Sequence, residues 1–442
     1  MRKQLTEVIA TLAALLLLVG ASSVVAQAAG GATNRLPIAN SQVYANGVNL
    51  PWVNYGNDIG GNAWGEYGFH ADSSTLQADF AKMRSQGVTT ARVWLFADGR
   101  AGITFDSNGA PTGLDPEVFA DLDALTSAAR ANGVHLNLVL FDSQFMFGAA
   151  SLGNGVVSGG HGGLINDGTG GQALEQNVVL PVLKHLSGNP AVFSIETMNE
   201  PEACIADDND LNSRCQSQPG SLANFNAWTQ MIVRDVHANV RGALVTVGSA
   251  SSNWVAQYKG DGLDYYEVHS YDDGYAPSLE ARAASSFGLN APIVVGEYPA
   301  SPQASPLTSK MNAYYSEGYA GAWVWSFAGV DSVGTYDGST MTAWNAAHPA
   351  TDVSGSLPAT SPSASPVPVP TASATPVTTP TPRPSATPAP GPAASATPIP
   401  TLSATPRPPH RAGPGPWWGG SCRVHFHWHW MRGWCIGPFA LV

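Results

Sequence analysis

Between Gln42 and about Trp344 the apolar positions alternate between two periods. Short, nearly continuous apolar runs read as buried strands, and segments with apolar residues three and four apart read as amphipathic helices. The strand-like runs are Gln42–Asn49, Thr90–Phe96, His135–Phe141, Ala191–Thr197, Ala243–Gly248, Asp264–His269, Pro292–Glu297 and Gly321–Phe327. Leu76, Phe80 and Met83 mark a first helix that stops near Gly87. Asp115-Pro116 reads as an N-cap with proline at the first helical position, followed by an apolar stripe of Phe119, Leu122 and Leu125 and a stop at Gly133. Further helices are expected over Gln172–Leu186, from Ser221 through Phe225, Trp228, Ile232 and Val236, over Ser278–Phe287 and over Ser305–Glu317. Ser143–Gly171 reads as a long Gly-rich loop, and the connection between the fifth and sixth strands is the shortest place for a helix.

Eight strands alternating with helices over about 300 residues predict a closed (β/α)8 TIM barrel. The competing architecture is an open doubly wound sheet. No G-x-G-x-x-G or phosphate-loop sequence follows the first strand, which weighs against a nucleotide-binding version.

The flanks divide the chain further. Residues 1–28 read as a signal peptide: Arg2 and Lys3 precede an apolar core from Ile9 to Val19 and the cleavage pattern Ala26-Gln27-Ala28. The apolar core is short for a membrane span, so the expectation is an extracellular protein with no stable membrane insertion after cleavage. The catalytic region is assigned to 29–353. A Pro/Ser/Thr/Ala-rich linker with recurring Ser-Ala-Thr-Pro units is assigned to 354–416, too polar to bury a core and open to O-glycosylation. A tail of Cys, His and Trp follows at 417–442.

The net charge is −12 and only 12% of residues are charged, so there is no basic footprint for nucleic acid. A sparsely charged chain with 13 Trp and 13 Tyr suits a neutral ligand, such as a sugar whose C–H face stacks on aromatic rings.

The candidate chemistry sits at two strand ends. Ser194-Ile195-Glu196-Thr197-Met198-Asn199-Glu200-Pro201 is a strand that delivers Glu200 and is stopped by proline. Pro292-Ile293-Val294-Val295-Gly296-Glu297-Tyr298-Pro299 repeats the device. Two carboxylates at one end of a barrel meet the requirement of glycoside hydrolysis: one protonates the leaving oxygen while the other attacks, or activates water, across the sugar.

Over roughly Val43–Trp344 the chain resembles a clan A glycoside hydrolase close to family 5. The resemblance rests on Arg92 in Ala-Arg-Val-Trp-Leu-Phe-Ala-Asp-Gly, on Asn199-Glu200, on His269 and Tyr271 in Val-His-Ser-Tyr, on Glu297 and on Trp325. It implies that Glu200 is the acid/base and Glu297 the nucleophile. Asn199 would donate to a sugar 2-hydroxyl, and Trp325 would form the platform at the cleavage point. Arg92 and Tyr271 are expected to keep Glu297 ionised, whereas burial and the charge of Glu297 should raise the pKa of Glu200. Arg92 pairing with a barrel carboxylate, Trp325 as ordinary packing and His269 as a structural histidine are the plainer readings. Many family members carry a histidine just after the third strand; Asp142 and Ser143 stand here. Trp52 and Trp254 are either outer platforms or a cover for the barrel top.

Cys204 and Cys215 are candidates for a disulfide beside the acid/base, and Cys422 and Cys435 for a second in the tail. Asp207-Asp208-Asn209-Asp210 fails the calcium-loop pattern, with Ser213 where glycine is required and Pro219 where the closing glutamate belongs. It reads as a solvated acidic loop. In the tail, His425, His427 and His429 alternate with Phe426, Trp428 and Trp430, as a metal face, a carbohydrate-stacking face or the remnant of a carbohydrate-binding module.

These observations predict a monomeric, retaining endo-β-1,4-glycanase acting on plant-type polysaccharide, with no metal or other cofactor. The first substrate is mannan: the Arg92 strand, Leu114-Asp115 and Cys204 after Asn-Glu-Pro resemble the family's mannanases. The alternatives are a cellulase or mixed-linkage β-glucanase, a non-catalytic carbohydrate-binding protein on the same scaffold, and a metal-dependent barrel hydrolase, for which the first strand lacks a following His-x-His.

Overall fold

The computed structural model describes residues 35–348 apart from 66, 167, 206–214, 216–219, 272–277, 302–304 and 331–332. The signal-peptide segment, the acidic stretch Asp207–Asp210, the linker, and the tail with Cys422 and Cys435 lie outside the described residues.

Eight parallel strands close into a barrel. They are β1 (Ala45–Asn49), β2 (Thr90–Trp94), β3 (His135–Asp142), β4 (Val192–Asn199), β5 (Leu244–Ser249), β6 (Tyr266–His269), β7 (Ile293–Pro299) and β8 (Gly321–Trp325). Pairing of β8 with β1 completes the ring. Every position on these strands is buried except the half-buried Leu244, because one face fills the barrel and the other meets the helices. That is why the strands read as continuous apolar runs.

Helix Ser73–Ser85 buries the predicted Leu76, Phe80 and Met83. Helix Leu222–Asn239 starts at the predicted cap, where Ser221 Oγ accepts from the Asn224 N–H at 3.1 Å. Helix Leu307–Ser316 follows β7 and buries Leu307, Met311 and Tyr314. Helix Gly338–Ala347, which the pattern did not single out, buries Met341 and Trp344.

Several expectations are corrected. The second helix runs Val118–Asn132, not from Asp115. Asp115 instead accepts the N–H groups of Gly61 and Glu117 with its side chain, fixing the approach to the helix. Its stripe is Val118, Leu122, Leu125 and Ala129, while Phe119 is 36% exposed. Gly133 closes the helix in the left-handed region (φ 66°), as its sequence position suggested.

Ser143–Gly171 is not a plain loop. It holds a 3-10 turn (Ser143–Met146), a hairpin (Ala150–Gly153 with Val156–Ser158) and a short helix (Gly162–Asn166). The next helical run begins at Gly168 rather than Gln172 and passes through a π turn at Glu175–Val179 before ending at His185. Ser278–Phe287 is two 3-10 turns, Leu279–Ala281 and Ala284–Phe287, not a helix. Only Leu279 is buried there, so no apolar stripe anchors a longer one. Between β5 and β6 a single 3-10 turn, Val255–Tyr258, takes the helix position.

The N-terminal end of the barrel is closed by apolar groups. Leu36, Ile38 and Val43 from the hairpin Leu36–Ile38/Ser41–Val43 pack with Phe193, Tyr265, Val294 and Trp323. Trp323 Nε1 donates to the Ala45 carbonyl at 3.0 Å, so even the indole N–H is satisfied. This end is a floor. A ligand is left the opposite end, where the carboxyl termini of the strands converge.

Candidate active site

Glu200 follows the last residue of β4 in an uncommon backbone conformation. Its φ is +46°, in the left-handed region that non-glycine residues rarely adopt, at a cost of about 1–3 kcal/mol. The register of β4 against β5 shifts between Glu196 and Asn199, the Glu200 N–H donates to the Gly248 carbonyl at 2.7 Å, and Pro201 ends the pairing. Together these turn the side chain out of the strand and into the barrel mouth.

Glu297 projects from β7 into the same space. One carboxylate oxygen of each glutamate and one ring nitrogen of His269 all lie within 4.8 Å of one another. The environments of the two acids differ. The Glu297 side chain is 1% exposed and that of Glu200 22%. Glu297 Oε1 receives Arg92 Nη1 at 2.6 Å and its Oε2 receives the Tyr271 hydroxyl at 2.8 Å. Glu200 Oε1 meets His269 Nδ1 at 2.7 Å.

Burial dominates the titration of Glu297, raising its pKa to about 7, with the charge of Glu200 pushing the same way; Arg92 and Tyr271 only reduce the rise. The expectation that Arg92 and Tyr271 keep it ionised is therefore corrected, since burial in the barrel interior outweighs both. Burial also lowers His269 to about 4, so the imidazole is neutral around pH 7 and its contact with Glu200 is a hydrogen bond rather than an ion pair.

Arg92, wholly buried on β2, joins these groups. Its Nη2 donates to Asn199 Oδ1 at 2.7 Å and its Nη1 to Asn49 Oδ1 at 3.0 Å. Asn199 Nδ2 donates to Asp142 Oδ2 at 2.6 Å, leaving the second amide hydrogen for a ligand. Asp142, standing where many family members have histidine, thus fixes the orientation of Asn199. Burial raises the Asp142 pKa to about 6.

Aromatic rings line one side. Trp325, at the end of β8, is 1% exposed and lies 5.8 Å from Trp94 and 5.9 Å from Trp52 between ring centroids. Trp52 also meets Tyr55 edge-on at 4.7 Å. Trp52 is therefore part of a packed aromatic wall shared with Trp94, not a free-standing rim residue. Trp254 is half-buried after β5 and does not belong to that cluster.

Below the mouth are acidic groups that the sequence reading passed over. Glu196 on β4 and Glu267 on β6 are fully buried against Arg92, with Asn137 on β3 beside them. A glutamate inside an otherwise apolar parallel strand was the available signal, since an unpaired buried carboxylate is so unfavourable. Trp94 and Asn49 were missed as well, their partners being remote in sequence, and Asp142 was noted only as a departure from the family pattern.

Cys204 and Cys215 form a disulfide, with Cα atoms 5.6 Å apart, in the segment after Glu200. The start of that segment is tied down by buried Glu202, which accepts from Ser249 Oγ and the Tyr258 hydroxyl, each at 2.7 Å. Among the described residues, Glu200, His269 and Glu297 are also the group placed to hold a cation. The Arg92 guanidinium, 2.6 Å from Glu297, opposes one there.

Fold and relatives together point to a glycoside hydrolase of clan A. The chain is a distant homologue of the family 5 β-mannanases over most of its described length. The mannan endo-1,4-beta-mannosidase of Mytilus edulis is 27% identical over 326 residues, covering 64% of this chain and 83% of that protein. That of Cryptopygus antarcticus is 28% identical over 335 residues, covering 67% and 83%. Among solved structures, the β-1,4-mannanase of the sea hare Aplysia kurodai shares the fold with a TM-score of 0.59 at 22% identity, covering 73% of this chain and 96% of its own. The β-mannanase of Mytilus edulis does so with 0.57 at 23%, covering 71% and 93%. No family model matches the chain.

Proposed function

We propose that the chain is a secreted, retaining endo-β-1,4-mannanase working by double displacement, with Glu297 as nucleophile and Glu200 as acid/base. The observation that carries the mechanism is the approach of the two carboxylates, within 4.8 Å between oxygens. This separation suits direct attack, whereas an inverting enzyme needs about 6.5–9.5 Å to admit a water. Their surroundings divide the roles. Glu297, buried and held on both oxygens by Arg92 and Tyr271, has a fixed attack line. Glu200, nearer solvent and on His269, can deliver a proton to the leaving oxygen and later take one from water.

Asn199 has a free amide hydrogen for the 2-hydroxyl of the reacting sugar, a contact that strengthens as positive charge develops on the ring. Trp52, half-buried in the aromatic wall, offers ring surface to a sugar, while Trp325 backs that wall from within. Mannan as substrate rests on the relatives' activity, and secretion on the N-terminal sequence. No cofactor is required by this chemistry, because both reacting groups are side chains.

The test is a reducing-sugar assay on mannan, glucomannan, carboxymethylcellulose, β-glucan and xylan. Release from mannan and glucomannan at least about tenfold faster than from the others would support the reading, a difference of about 1.4 kcal/mol in transition-state binding. Preference for carboxymethylcellulose or β-glucan would move the assignment to the glucanases.

A further inference from the structure

The barrel interior beneath Glu297 holds more acid than base. Glu196, Glu267 and Glu297 all face Arg92, and His269, the other basic group there, is neutral around pH 7. Arg92 grips Glu196 with two donors, Nε to Oε2 and Nη2 to Oε1, each at 2.7 Å. This is the fork geometry of a guanidinium on an ionised carboxylate. Glu267 approaches only Nε, at 3.0 Å, and shares both that donor and Asn137 Nδ2 with Glu196. Two buried carboxylates crowded onto the same donors repel each other unless one of them holds a proton.

The space for this pair is built into the backbone. A Cβ on Gly248 would fall 2.2 Å from Glu196 Oε1, and one on Gly296 would fall 2.0 Å from Glu267 Oε1. Neither glycine has a positive φ, so their function is to leave room for the acids. Asn137 closes the remaining side, donating to Glu196 Oε2 at 2.9 Å and reaching Glu267 Oε2 at 3.5 Å.

We propose that Glu196 and Glu267 form a buried carboxylate–carboxylic acid pair, sharing one proton carried by Glu267, that positions Arg92 and through it the nucleophile. This deepens the mechanism above and rests on Glu297 being the nucleophile. The groups facing the pair are Arg92 on β2, Asn137 on β3, Tyr265 just before β6, His269 on β6 and Glu297 on β7. Burial, with the charge of Glu196 next, holds Glu267 well above the usual carboxylate range. With the proton in place, Arg92 faces two charges rather than three, one fixing its orientation and one doing chemistry. Both glutamates are positioning residues; neither touches substrate.

The experiment has an arm without substrate and an arm with it. Infrared spectra of the intact protein at about pH 8.5, where an ordinary carboxyl is ionised, should show a protonated-carboxyl carbonyl band. That band should disappear in Glu267→Gln. No loss of such a band in Glu267→Gln would overturn the proposal. In the second arm, Gln at 267 can still donate to Glu196, as the protonated acid does. Gln at 196 turns an amide N–H towards Arg92 and breaks the fork. Glu196→Gln should therefore lose at least about tenfold more kcat/KM than Glu267→Gln. The acid limb of the pH profile should move by less than about half a unit in Glu267→Gln. Equal losses, or a larger displacement of that limb, would contradict it. If Glu196→Gln does not fold, the spectra and pH profile of Glu267→Gln still decide. A chain inactive on mannan whose band vanishes in Glu267→Gln would separate failure of the substrate assignment from failure of the pair.

Discussion

The two ends of this barrel are built from the same eight strands and could hardly differ more. At the N-terminal end, Trp323, Phe193, Tyr265 and the first hairpin form an apolar floor whose indole N–H is paired. At the other end, Arg92 holds three carboxylates, Glu200 sits in a left-handed conformation, and Glu297 is buried with its pKa raised to about 7. One end gathers stability, and the other spends some of it on positioning. Substitutions at the two ends should therefore separate: floor variants lower stability at constant kcat/KM, and mouth variants lower kcat/KM more than stability.

The largest expected effect is at the mouth. Glu297→Ala removes the attacking oxygen and should lower kcat by about 10⁴-fold or more on mannan while the protein still unfolds cooperatively. A loss below tenfold would mean that the mouth has been misread. Trp323→Ala at the floor should cost about 3–5 kcal/mol in a denaturant titration, yet leave kcat/KM within about twofold at temperatures where the variant is folded. A catalytic defect there would erase the contrast between the ends.

Replacing both Cys204 and Cys215 by serine should have a smaller effect, about 2–3 kcal/mol of stability, because the loop they close spans 11 residues. The resulting loss in Tm is followed by calorimetry, with the wild type under reducing conditions for comparison. If the disulfide steadies the segment after Glu200, kcat falls less than stability.

The smallest effect is a pH dependence. Asp58 accepts the Val53 and Asn54 N–H groups beside Trp52, and burial raises its pKa to about 7. For an acid raised in the folded state, stability is fully present below the unfolded pKa and lost as pH rises through the folded one. Asp58→Asn should start less stable, having one acceptor oxygen for two N–H groups. The gap to the wild type should then narrow between about pH 4 and 7 and stay constant above it. Parallel Tm curves across that range would show that Asp58 is ionised in the folded protein.

What the sequence revealed and what it hid follow from the same physics. All eight barrel strands were legible because both of their faces are buried, and Glu200 and Glu297 stood out as carboxylates at strand ends before or near proline. The turns over Leu279–Phe287 were misread as a helix because Leu279, Ala284 and Phe287 mimic an apolar stripe, although only Leu279 is fully buried and the other two meet the core at its margin. The hairpin and short helix within Ser143–Gly171 have no periodic signature; they are tied to remote residues, Trp64 Nε1 donating to the Gly153 carbonyl at 3.1 Å and Asn224 Nδ2 to the Asn166 carbonyl at 2.8 Å. Glu196 and Glu267 went unread because their significance lies in pairing, over 104 residues in the bond from Arg92 to Glu196. A charge inside a parallel strand should have prompted a search for its counter-ion.

The central claim, that Glu200 and Glu297 divide the work of a retaining glycosidase, is tested most directly by azide rescue of Glu200→Ala. A dinitrophenyl glycoside needs no proton to leave, so glycosylation of Glu297 should survive in this variant while hydrolysis of the intermediate becomes slow. Azide needs no general base, so it should restore turnover and yield a β-glycosyl azide, entering from the side the aglycone left. An α-azide, or rescue of Glu297→Ala in place of Glu200→Ala, would contradict the assignment.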